Sequence, residues 1–114
     1  MLTVDALKAY GANTAEGLGR CFNNEAFYLK LVGMGLADGN FDRLKQAMAD
    51  GDAQAAFEAA HALKGSIGNL ALTPIYEPIC ALTEKLRGQS GAVDDDGLLA
   101  EILTQLEKAR RLAD

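Results

Sequence analysis

The sequence predicts an all-α protein, an up-and-down four-helix bundle with one or two short extra helices at its N-terminus. Three observations predict it. Apolar residues recur at helical spacing along most of the chain, and no segment alternates apolar with polar as a half-buried strand does. The two prolines stand at 74 and 78, which leaves long stretches free to be helical. Gly51-Asp52 is a stop followed at once by a start, and so short a connection makes its flanking helices antiparallel neighbours. The 114 residues fit one domain, residues 1–114, able to bury a modest core without metal or disulfide. Aromatic residues are only 6% and tryptophan is absent, so that core is helix packed on helix through small and aliphatic side chains.

The elements follow in order. Residues 3–10 form a short helix that ends at Gly11, and residues 14–22 form another, capped by Thr14 with Glu16 in its first turn. Asn24 caps a longer segment whose inner side carries Phe27, Leu31, Met34 and, less cleanly, Val32. Gly33, Gly35 and Gly39 weaken its end and predict a break near 38–40. Phe41, Leu44 and Met48 resume the spacing as far as Asp50. Residues 53–70 form the next helix. Thr73 and Pro74 are an N-cap and first-turn pair, followed by the apolar stripe Ile75, Ile79, Leu82 and Leu86. Pro78 lacks an N–H and is expected to kink that helix or delay its regular part. Residues 88–97 are a polar loop ending in aspartate caps. The last helix, about 95–112, sets Leu98, Leu99, Ile102, Leu106 and Ala109 on one side, with Lys108, Arg110 and Arg111 suiting its negative end.

Charge and inventory exclude several functions. The formal net charge is −5 and no basic stripe is visible, which argues against nucleic acid and against anionic membranes. No apolar run approaches the roughly 20 residues that span a bilayer. The opening MLTVDALKAYGANTAEG has an early aspartate and no apolar h-region, so the expected compartment is the cytoplasm. Cys21 and Cys80 then read as reduced, small buried hydrophobes. One histidine and two scattered cysteines cannot supply the four ligands of a zinc site. KGSIGN lacks the order and the preceding strand of a phosphate loop, and apolar surroundings count against either cysteine as a nucleophile paired with histidine. Asp94-Asp95-Asp96 is cap material. No intrinsic cofactor is expected.

The informative stretch is AAHALKGSIGN, residues 59–69, which holds the single histidine. On a helical wheel Ala56, Ala59, Ala60, Leu63, Ile67 and Leu70 share one arc, which must face the core. His61, Lys64, Gly65 and Gly68 fall on the other side, stacked by spacings of three, four and seven, with Phe57 at the edge of their stripe. Each glycine costs about 1 kcal/mol relative to alanine in a helix interior. Bare positions beside the imidazole would open it to another molecule. A neutral ring nitrogen is a nucleophile for phosphoryl groups, and an imidazole in water titrates near pH 6.5, so it is largely neutral at pH 7. The Lys64 ammonium, one turn away, can offset charge on phosphoryl oxygens. Ser66 points toward the other side and reads as structural.

His61-Ala-Leu-Lys64-Gly65-Ser66-Ile-Gly68-Asn69 resembles the core motif of histidine-containing phosphotransfer (HPt) domains. Arg20, Asn24-Glu25 and Phe27-Tyr28-Leu29 look like the family's upstream helix start, and Ala49-Asp50-Gly51-Asp52 like its turn before the histidine helix. The resemblance spans about residues 10–88, with the last helix fitting by pattern only; Pro78 and Cys21-Phe22 depart from the family. The resemblance implies a four-helix bundle with an exposed histidine, a phosphoryl carrier without kinase activity of its own. His61 would be the phosphorylation site and Lys64 its positive neighbour. Gly65, Gly68 and Phe57 would form the receiver-docking face. The implied partners are the receiver domain of a response regulator, a hybrid histidine kinase, or both, with magnesium held by the receiver. Two other readings are a helical docking module that takes no phosphate and the phosphoacceptor domain of a chemotaxis-type kinase. The initial methionine and the end after the last helix favour a free-standing protein. No extra apolar stripe asks for a partner copy, so a monomer is expected.

Overall fold

The computed structural model describes residues 1–90 and 94–114, and residues 91–93 of the expected polar loop lie outside the described residues. Seven helices follow one another among the described residues: α1 (Val4–Tyr10), α2 (Thr14–Arg20), α3 (Glu25–Leu36), α4 (Asn40–Asp50), α5 (Ala53–Asn69), α6 (Thr73–Leu86) and α7 (Leu98–Arg111). Helices α4 to α7 form the up-and-down bundle, each packed on the next. Their buried side chains are the expected stripes: Phe41 and Leu44 of α4, Leu63 and Ile67 of α5, Ile75, Ile79, Leu82 and Leu86 of α6, Ile102 and Leu106 of α7. Each fully buried aliphatic side chain of this kind contributes about 1.5–3 kcal/mol.

The turn before α5 forms as its residues dictate. Gly51 adopts φ +69°, the left-handed conformation that glycine takes without strain, and closes α4. The Asp52 side chain accepts from the Ala55 N–H and opens α5. Together they fix where α5 begins, and so which of its residues face outward.

Four local readings are corrected. Asn13, not Thr14, caps α2, its side chain accepting from the Glu16 N–H; Thr14 is the buried first residue of that helix. The N-cap of α6 is Leu72, and Thr73 and Pro74 both lie inside the helix. Pro78 does not delay the regular part of α6, which runs from Thr73 to Leu86 with the proline inside it. Helix α7 starts at Leu98 because Asp95 stays outside it, its carboxylate accepting from the N–H groups of Gly97 and Leu99.

The inner face of α3 is also corrected. Tyr28, Val32, Gly35 and Leu36 are buried there, whereas Phe27 is 44% and Met34 60% exposed. The segment is apolar nearly all round, so periodicity alone does not choose a face. Close packing chooses it. A Cβ at Gly35 would lie 2.5 Å from Leu70 Cδ1, and the Tyr28 hydroxyl donates to the Leu70 carbonyl at 2.9 Å. The ring of Tyr28 fills the space beside Gly17 of α2, where a Cβ would meet it at 2.5 Å. Arg110 of α7 donates to the Leu36 carbonyl at 2.9 and 2.6 Å, closing the end of α3. Helices α2 and α3 therefore pack where α5 and α7 terminate.

Candidate functional site

Helix α5 carries every candidate residue on one stripe. His61 is exposed while Ala60 and Leu63 are buried, as the wheel requires. The side-chain hydrogen bonds along α5 belong to Asp52, Gln54, Glu58 and Ser66; among the described residues none engages the His61 ring nitrogens. Ser66 donates to Asp38 at 3.3 Å on the far side, the structural role expected of it.

Phe57 is half-buried and packs against the core. Its ring also stacks on the imidazole, with centroids 5.7 Å apart and planes 16° from parallel. The Arg87 guanidinium, from the end of α6, lies over the same phenyl ring at 5.3 Å. Arg87 is held in turn by Glu84, which accepts from its Nε at 3.3 Å and from Nη2 at 3.2 Å. Those hydrogen bonds, then the guanidinium charge, hold the Glu84 carboxyl below its ordinary range, and the Lys64 ammonium adds to the effect. Lys64 is half-buried and forms no ion pair within 4.0 Å among the described residues.

Beyond Lys64 the stripe opens into a groove of about 480 Å³, bordered by Lys64, Gly65 and Gly68 of α5, Arg20 of α2 and Tyr76 of α6. The two glycines differ. Gly65 has open space where a Cβ would stand. At Gly68 that atom would lie 2.6 Å from the Tyr76 ring, so this glycine serves the packing of α6 on α5. Gly68 thus has a packing role beside the docking role expected of it, and it also borders the groove. Arg20, paired with Glu16, donates to the carbonyls of Gly68 at 2.8 Å and Asn69 at 3.1 Å, satisfying the end of α5.

Sequence reasoning missed Arg87, Glu84 and Tyr76, and it read Arg20 only as part of the upstream likeness, without its contact to α5. A signal for two of them exists. Gly68 and Tyr76 each lie four positions from Leu72, and Phe57 and Arg87 each lie fifteen from it. Two antiparallel helices joined there bring such equidistant positions together. For Arg20 no local signal exists, because the contact spans 48 positions. Both cysteines are free; Cys21 is buried as expected, and Cys80 is only half-buried. Among the described residues no group of three or more His, Cys, Asp or Glu could hold a metal ion, and no helix is long and apolar enough to cross a membrane.

Among the described residues the all-helical bundle presents one imidazole without a hydrogen-bond partner, with an ammonium one turn along, the arrangement expected of a histidine phosphoryl carrier. The family model described as Hpt domain matches residues 36–112, and the chain belongs to that family. Its members are phosphocarrier modules of two-component signalling, not kinases, and they interact with receiver and kinase domains. No curated protein and no solved structure matches the chain. The match includes the last helix, which fitted by pattern only, and starts at Leu36, so the upstream likeness at Arg20 and residues 24–29 lies outside it.

Proposed function

We propose that His61 is the phosphoaccepting residue of a phosphorelay intermediate, a single-domain, monomeric, cytoplasmic carrier that receives from a receiver aspartate or a kinase and gives to a receiver aspartate. The observation that carries this reading is the exposed imidazole whose nitrogens have no protein partner among the described residues. In the forward step the ring nitrogen directs its lone pair at phosphorus. The N–P bond forms as the P–O bond to the receiver carboxylate breaks, and the carboxylate leaves with the bonding electrons. The proton on the second ring nitrogen stays or passes to water. Return of the group reverses these changes on the next aspartate.

Lys64 would offset charge on the phosphoryl oxygens as they pass from oxygen to nitrogen. Gly65 would let the receiver's loops come against the helix, since nothing occupies its side-chain direction. Phe57 would lie at the edge of the docked area. The expected magnesium belongs to the receiver. Mixing the protein with a phosphorylated receiver tests the reading. The expected result is acid-labile, base-stable label on the protein that vanishes in His61→Gln. Binding of the receiver without label would instead identify a docking module.

A further inference from the structure

We propose that Phe57 is a positioning residue for phosphoryl transfer, fixing the imidazole plane of His61 by stacking, with Arg87 holding Phe57 from α6. This inference rests on the reading of His61 as phosphoacceptor.

An exposed histidine on a helix samples several rotamers, and only those aiming a ring nitrogen outward along the line of attack are productive. The 5.7 Å separation and 16° tilt fall within the geometry of an offset aromatic stack. The stack can orient His61 only if Phe57 is itself fixed. It is fixed on two sides, packed against the core and covered by the guanidinium at 5.3 Å, within the roughly 6 Å range of a cation–π contact. The guanidinium is fixed by its two hydrogen bonds to Glu84. The restraint therefore runs from the end of α6, through Phe57, to the imidazole, and leaves both ring nitrogens without a hydrogen-bond partner among the described residues.

The test uses the whole chain and phosphoramidate, a small donor that needs no receiver. Its P–N bond breaks, ammonia leaves, and the phosphoryl group moves to the imidazole nitrogen. Phe57→Leu should slow labelling of His61 by about three- to tenfold, the worth of one aromatic contact. Phe57→Tyr, which keeps the stack, should restore the rate, and Arg87→Gln should fall between. Proton NMR reads the geometry separately. The ring current of Phe57 should shift the His61 imidazole protons upfield in the wild type and in Phe57→Tyr, but not in Phe57→Leu. Equal labelling rates in folded Phe57→Leu and wild type would overturn the inference. So would wild-type imidazole protons at their random-coil positions, a result that needs no variant to fold. Failure of the wild type to take label at His61 would instead defeat the phosphoacceptor reading, with the stack still judged by its proton shifts.

Discussion

At the scale of single residues, the stripe of α5 separates into roles that spacing alone merged. Lys64 is half-buried and near Glu84, which draws on its charge. Lys64→Ala should slow transfer about tenfold, the worth of one charge-assisted contact, and leave the thermal midpoint nearly unchanged. Stopped transfer assays paired with a melting curve check both halves. Gly65→Leu should keep labelling by phosphoramidate while impairing transfer from a receiver, because the added side chain enters only the space in front of the helix. Unimpaired receiver transfer would remove Gly65 from the docking face. His61, Lys64, Gly65, Gly68 and Phe57 were legible because one helix and a fixed period place them together. Arg87 and Glu84 were not, because their contact with the stripe depends on how α6 folds back.

At the scale of elements, the two site glycines give opposite expectations. Gly65→Ala should raise stability by up to about 1 kcal/mol, the ordinary gain in helix propensity at an unobstructed site. Gly68→Ala places its methyl against the Tyr76 ring, and such overpacking costs about 1–3 kcal/mol, which cancels or outweighs the same gain. Chemical denaturation of both variants, alone and with Tyr76→Ala, checks this: Gly68→Ala should become stabilising only once the ring is gone. The bundle helices α4 to α7 were legible because each pairs one apolar stripe with one polar face. Helix α3 was not, since Phe27, Tyr28, Leu31, Val32, Met34 and Leu36 leave no polar side to point outward. Its orientation follows from Gly35 meeting Leu70, a distant contact that no local pattern reveals.

At the scale of the whole molecule, the N-terminal helices are tied to the bundle by polar contacts spanning most of the chain. The Tyr10 hydroxyl of α1 donates to the backbone carbonyl of Gln105 at 3.1 Å and to its side-chain oxygen at 2.8 Å. Burial, then the Glu101 charge, pushes its pKa from 10.0 up to about 12. The folded protein thus holds this proton more tightly than the unfolded chain. The corresponding stability is intact below pH 10 and is lost as pH rises from 10 toward 12. Tyr10→Phe should lose about 1 kcal/mol at pH 7 with the hydrogen bond, and should show a shallower alkaline decline. Denaturant midpoints at pH 7 and pH 11 test this; equal alkaline slopes would mean that α1 is not docked in solution.

Phosphoryl carriage by the outward imidazole of α5 underlies every other proposal made for this protein. Phosphorus NMR of the intact protein treated with phosphoramidate tests it most directly. One new phosphoimidazole resonance is expected, absent in His61→Gln and lost when an unphosphorylated receiver accepts the group. No such resonance, or one that persists in His61→Gln, would contradict it.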